Sequence, residues 1–233
     1  MSVDVGAPAS GTTAPGVAAV VFDYGGVMTT PVSESIAAWL EADGIEPASF
    51  SRTLKAWLSR DAAHGSPIHL LETGELLAHD VEQLLVAELV SRDSRPLQAE
   101  GMLNRLFAGM QPDPAMTALV EDLRGLGVRV GLLSNSWGNT YPREELEVLF
   151  DDVVISGEVG LRKPQRQIFE LSLTRLGAHP AATAFVDDAR PNVDGATLLG
   201  LRGILHSNPA ATRAALAQII PALHAAPALR STP

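Results

Sequence analysis

Residues 20–27 read VVFDYGGV, an apolar run that stops at an aspartate and two glycines, and the fold follows from it. The run from Ala18 to Phe22 is of strand length and near-continuous, as expected of a strand buried on both faces of a parallel sheet. Runs of the same kind recur at Val128 to Leu133, Val153 to Ile155 and Ala184 to Val186, with a weaker one at Gly203 to Leu205. Between them the apolar spacing becomes helical. Met116, Leu119, Val120 and Leu123 precede the second run, and Phe169, Leu173 and Leu176 follow the third. Strand alternating with helix predicts an α/β fold, a doubly wound Rossmann-like parallel sheet.

One interval breaks the alternation. About 105 residues separate Phe22 from Val128, whereas a crossover needs only about a dozen. Ile36 and Leu40, then Val81, Leu84, Leu85 and Leu89, then Met102, Leu103, Leu106 and Phe107 each trace an apolar helix face. The expectation is an α-helical cap inserted at 30–110, with the core formed by 17–29 and 111–223. QPDP, Gln111 to Pro114, marks the return to the core, with Asp113 before Pro114 opening the next helix. Residues 1–16 and 224–233, poor in periodicity and rich in small residues and proline, are expected to be a flexible leader and tail.

Composition narrows the function. The chain has 233 residues, 46% of them hydrophobic, which suffices for a full core. Seventeen basic against 27 acidic residues give a net charge of −10, which argues against nucleic acid or an anionic membrane as partner. With no cysteine, thiol catalysis and cysteine metal sites are excluded. No apolar run approaches the roughly 20 residues that span a bilayer, and the N-terminal residues lack the pattern of a signal peptide, so a cytoplasmic location is expected.

The chemistry sits where strands end. Asp23 follows the first strand directly, at the edge where open α/β sheets bind ligands, and is a candidate nucleophile or metal ligand. After the second strand, Ser134 and Asn135 place a hydroxyl and the N–H groups of an expected helix start where an oxyanion can be held. Beyond the third, Lys163 precedes Pro164, a proline that can open a helix, and can neutralise a bound anion. The fourth strand ends in Asp187 and Asp188, adjacent carboxylates that repel unless a cation or a lysine shares the site. Carboxylate, hydroxyl, ammonium and acid pair compose one site.

The segments FDYGGV, LLSN, RKP and FVDD, in this order, resemble the four motifs of the haloacid dehalogenase superfamily, in its subgroup with a helical cap between the first two motifs. The resemblance covers about Val17 to Leu205. It implies a Mg²⁺-dependent phosphatase for a small phosphorylated substrate, in which Asp23 forms an aspartyl-phosphate, Ser134 binds the phosphoryl group and Lys163 bridges nucleophile and phosphate. It also implies that Mg²⁺ sits on Asp23, the Gly25 carbonyl and Asp188, with Asp187 close by. Oxygen ligands of this kind suit Mg²⁺.

The departure is at Gly25, where the family's usual motif carries a second aspartate that acts as general acid and base. A positioned acid or base is worth about 10²–10⁴ in rate. Gly at this position also occurs among cap-bearing relatives similar to the N-terminal part of epoxide hydrolases. Another acid, such as His64 or His69 of the cap, a substrate with a good leaving group, or a role in binding without turnover would each fit Gly25. Asn192, where many members carry an acid, can still hydrogen-bond behind the site. A metal-independent dehalogenase is a further alternative, although those members resemble Asp-x-Tyr-Gly-Thr and here Tyr24 stands one position early. Trp39, Trp57, Arg60, His64 and His69 in the cap, and Trp137 and Arg143 beyond the second motif, are either lining or packing residues.

Overall fold

The computed structural model describes residues 16–58, 65–138 and 141–225. Five parallel strands, β1 Ala19–Phe22, β2 Arg129–Ser134, β3 Asp152–Ile155, β4 Thr183–Asp187 and β5 Arg202–Leu205, form one sheet in the order β3-β2-β1-β4-β5. Central β1 pairs with β2 on one side and β4 on the other, Phe22 standing opposite Leu132 and Val186. The chain winds outward from β1 through β2 to β3, then crosses back to β4. The reversal opens a crevice at the carboxyl ends of β1 and β4, where such sheets take ligands.

Helices α1 Val32–Ala42, α2 Pro47–Trp57, α3 Pro67–Glu72, α4 Ala78–Glu88, α5 Met102–Phe107 and α6 Pro114–Gly125 lie between β1 and β2. Helix α7 Arg143–Leu149 follows β2, α8 Ser156–Val159 and α9 Arg166–Leu176 follow β3, α10 Arg190–Leu198 follows β4, and α11 Pro209–Ile219 follows β5. The pleat of β1 divides the core. Val20 and Phe22 pack with Met116, Leu119 and Leu123 of α6 and Leu216 of α11, while Ala19 and Val21 pack with Ile168, Phe169 and Leu173 of α9 and Ala196 of α10. Fully burying a side chain of this size contributes about 1.5–3 kcal/mol, so both sheet faces are held firmly.

Helices α1–α5 have apolar clusters of their own, one around Trp39, Ile45, Phe50, Met102 and Leu106, another around Ile68, Leu71, Val81 and Leu103. The segments entering and leaving this helical layer bind each other: the Thr30 N–H donates to the Gln111 carbonyl at 2.8 Å, and that of Asp113 to Met28 at 2.9 Å. As the sequence predicts, Asp113 caps α6, its carboxylate accepting from the N–H groups of Ala115 and Met116 at 2.8 and 3.2 Å.

Several local expectations need correction. Leu84 is 44% exposed, so the buried face of α4 runs through Val81 and Leu85 without it. Ser134 and Asn135 do not start a helix, because α7 begins only at Arg143. Pro164 does not open α9, which starts at Arg166. The leader and tail fall outside the described residues, apart from Gly16, Ala225 and His224, the last of which closes a short 3-10 turn at Pro221–His224.

Candidate active site

Asp23, the first residue after β1, is held against β4 by its N–H, which donates to the Val186 carbonyl at 2.9 Å. Register therefore puts the ends of β1 and β4 side by side, with Asp23 next to Asp187 and Asp188. Lys163 reaches this point from the loop between α8 and α9. Its ammonium is buried, 1% exposed, and lies 2.6 Å from Asp23 Oδ1 and 2.8 Å from Asp187 Oδ2. Asn135, just past β2, grips the Lys163 backbone from both sides: its Oδ1 accepts from the Lys163 N–H at 2.8 Å and its Nδ2 donates to the Lys163 carbonyl at 3.1 Å. The amide thus orients the lysine.

The two adjacent aspartates have different surroundings. Asp187 is fully buried and accepts from Lys163, from the Ala189 N–H at 2.8 Å and from Asn192 Nδ2 at 3.1 Å on each oxygen. Asp188 is exposed and lines the cavity above the sheet edge. Gly26 makes this possible. Its φ is +75°, and a Cβ there would come within 2.7 Å of Asp188 Oδ2, so glycine is required for both the turn and the approach. Gly25 also lines the cavity, and a Cβ on it would stand 3.4 Å from Val32 Cγ2 and 3.8 Å from Met110 Cε.

Charge is out of balance in this cluster. Asp23, Asp187 and Asp188 offer carboxylate oxygens within 4.8 Å of one another, against a single ammonium. Burial pushes the Asp23 carboxyl up from its ordinary range, with Lys163 opposing and Asp187 reinforcing the shift. Burial and Asp187 likewise raise Asp188. For Lys163 burial acts downward, but Asp187 and Asp23 outweigh it and hold the ammonium protonated. A hard divalent cation would relieve this excess, and three convergent carboxylates are donors of the kind that Mg²⁺ takes.

Ser134 closes the other side. Its hydroxyl lies 2.9 Å from the Tyr141 hydroxyl, and the Tyr141 ring packs on Tyr24 with centroids 5.1 Å apart. Above these groups is a cavity of about 1030 Å³ between the sheet edge and the helical layer, which contributes Val32, Ile36, His69, Glu72, Phe107 and Met110 to its wall. The layer is fastened to the core through Glu72 at the end of α3. Trp137 Nε1 donates to Glu72 Oε1 at 2.9 Å, Arg162 Nε donates to Oε2, and Ser156 Oγ donates to the Glu72 carbonyl at 2.5 Å.

The site residues expected from the strand ends, Asp23, Gly25, Ser134, Asn135, Lys163, Asp187 and Asp188, are therefore brought together. Of the other candidates, His69 and Trp137 line the cavity. Trp39 is buried in the helical layer, where its Nε1 donates to Asp43 at 2.9 Å, and Trp57 packs in the same layer. Arg143 pairs with Glu158. Arg60 and His64 lie outside the described residues. Glu72 and Tyr141 carry no spacing or periodicity that marks them, and Arg162, though part of the RKP segment, has no role that the sequence alone assigns.

A haloacid dehalogenase-like hydrolase family model matches residues 17–200. The chain is 35% identical over 132 residues to a glyceraldehyde 3-phosphate phosphatase of Methanothermobacter thermautotrophicus, covering 52% of this chain and 58% of that protein. It is 32% identical over 115 residues to a sesquiterpene phosphatase of Aspergillus oryzae, covering 48% and 59%. The matches thus span less than two thirds of these relatives. In fold it resembles a HAD family enzyme of Bacteroides thetaiotaomicron solved with magnesium and inorganic phosphate, at a TM-score of 0.60 and 18% identity over 82% of this chain and 95% of that one.

Proposed function

The chain belongs to the haloacid dehalogenase-like hydrolase family, and from that premise we propose that it is a Mg²⁺-dependent phosphatase of small phosphate monoesters, working through an aspartyl-phosphate on Asp23. The observation that carries this reading is the cluster at the ends of β1 and β4, three carboxylates around one buried ammonium. Relatives named for glyceraldehyde 3-phosphate and for a sesquiterpene support phosphatase chemistry and leave the alcohol open.

Asp23, the Gly25 carbonyl and Asp188 would hold the Mg²⁺. Asp187, occupied by Lys163, Asn192 and the Ala189 N–H, would position the lysine from beneath. The bound ion supplies positive charge that offsets repulsion between a carboxylate and a phosphate dianion. An Asp23 oxygen attacks phosphorus, the bond from phosphorus to the ester oxygen breaks, and its electron pair leaves with the alcohol oxygen, which takes up a proton from water. Lys163 moves its hydrogen bond toward the phosphoryl oxygens as charge develops there, and the Ser134 hydroxyl donates to another. Water then attacks the acyl phosphate, releasing inorganic phosphate and restoring Asp23. The insert at 30–110 acts as a cap that keeps bulk water from the site.

Phosphate release from a panel of monoesters, with and without Mg²⁺, tests this reading. Asp23→Asn is expected to lower the rate by at least about 10³-fold, the scale on which a nucleophile acting in a unit contributes. Chelation is expected to stop release reversibly. Unchanged turnover of Asp23→Asn would remove the aspartyl-phosphate, and halide release that survives chelator would point to the dehalogenase alternative.

A further inference from the structure

We propose that the site selects monophosphate esters of extended, apolar alcohols and discriminates against esters bearing a second charged group; this rests on the phosphatase reading above. Three observations carry it. The cavity, at about 1030 Å³, stands at the upper end of the roughly 300–1,000 Å³ typical of small-molecule sites. The phosphoryl position between Asp23, Ser134 and Lys163 occupies only its floor.

On the Gly25 side of that floor the lining is hydrocarbon, while Tyr24, Asn135, Tyr141 and Asp188 line the rest. Val32 and Met110 approach within 3.4 and 3.8 Å of where a side chain on Gly25 would begin, two residues from Asp23. A leaving group directed toward Gly25 meets these apolar side chains. Ile36, Leu58, Leu70 and Phe107 continue this wall, and Leu58 is 43% exposed. An alkyl or isoprenoid chain covering these side chains would release the water on them.

Among the described residues, Lys163 and Arg162, the two cations that could meet a second anionic group, are already engaged. Apart from the His69 imidazole, the basic side chains on the described wall are Lys163 and Arg162. Lys163 is held by Asp23 and Asp187, and Arg162 by Glu72. Glu75 adds a further negative charge to the wall. A second phosphate or a carboxylate on the substrate would lose its water here and meet carboxylates. An uncharged apolar tail has neither cost.

The test is a chain-length series, butyl, hexyl, octyl and decyl phosphate, assayed with Mg²⁺ beside glyceraldehyde 3-phosphate, phosphoserine and 4-nitrophenyl phosphate. The expected result is a kcat/KM that rises by up to about fourfold per buried methylene, equivalent to about 0.8 kcal/mol, and that exceeds both polar esters by decyl phosphate. In Ile36→Asn, checked for folding by circular dichroism, the decyl-to-butyl ratio is expected to fall about tenfold or more. A flat or falling series, a preference for the polar esters, or a wild-type ratio in Ile36→Asn would overturn the inference while release from 4-nitrophenyl phosphate keeps the phosphatase reading. No release from any ester, the nitrophenyl one included, would overturn that reading and the inference with it.

Discussion

Two neighbouring glycines, Gly25 and Gly26, have opposite reasons to be glycine. At Gly26 the backbone is left-handed and the Asp188 carboxylate fills the space a side chain would need. Gly26→Ala is expected to cost about 1–2 kcal/mol in backbone strain alone, and to weaken Mg²⁺ binding as well by displacing Asp188. Thermal unfolding and Mg²⁺ titration of the activity would read the two effects separately. At Gly25 the backbone is not left-handed, and a Cβ would make ordinary contacts with Val32 and Met110. Gly25→Asp should therefore fold and introduce the carboxyl group that the resemblance to the haloacid dehalogenase motifs implies at this position. We expect alkyl phosphates, with their poor leaving groups, to be hydrolysed about 10²-fold faster and 4-nitrophenyl phosphate to change little. Comparing kcat for the two esters checks this, and no gain, or a loss, would mean that another group already moves the proton or that the cap needs the space.

The linkage between helix α3 and the loop bearing Lys163 belongs to the scale of elements. Glu72 is 4% exposed and receives hydrogen bonds from Trp137 and Arg162, while its carbonyl receives one from Ser156 at the start of α8. A close backbone approach adds to this, since a Cβ on Gly74 would fall 2.6 Å from the Gly157 carbonyl. The helical layer is therefore fixed to the residue next to Lys163. Glu72→Ala strands the Arg162 guanidinium, and because that side chain is 17% exposed the expected loss is about 3 kcal/mol, the low end for breaking a buried pair. It should also raise KM more than it lowers kcat, because Glu72 fastens the layer that lines the cavity and its own side chain is taken by Trp137 and Arg162. Denaturant unfolding and steady-state kinetics on the same variant would show both.

At the scale of the molecule, the sheet collects acidic groups that repel one another, and folding proceeds against that repulsion. Lys163 compensates one of the three charges. Mg²⁺ is therefore expected to stabilise the whole fold as well as to support turnover. At 100 times its dissociation constant a ligand adds about 2.7 kcal/mol, which for a chain of this length is about 5–10 °C in Tm. The shift should be lost in Asp188→Ala, which removes an exposed carboxylate and leaves the buried pair of Asp187 and Lys163 intact. A calorimetric scan with and without Mg²⁺ decides it, and an undiminished shift in Asp188→Ala would assign the ion to other ligands. No described helix is long and apolar enough to cross a membrane.

The strand ends were readable from the sequence because a strand buried on both faces must be continuously apolar, and the first polar residue after it marks the sheet edge. Asp23, Ser134 and the pair Asp187 and Asp188 were located in this way, as was the long helical interval between β1 and β2. The clamp of Asn135 on the Lys163 backbone, the burial of Asp187 beside the exposure of Asp188, and the bonds of Trp137 and Arg162 to Glu72, 65 and 90 residues away, were decided only in three dimensions. Periodicity reports which face of an element is apolar, and it carries nothing about which distant polar side chains will meet. Those partners are selected by packing, once burial makes an unpaired charge costly.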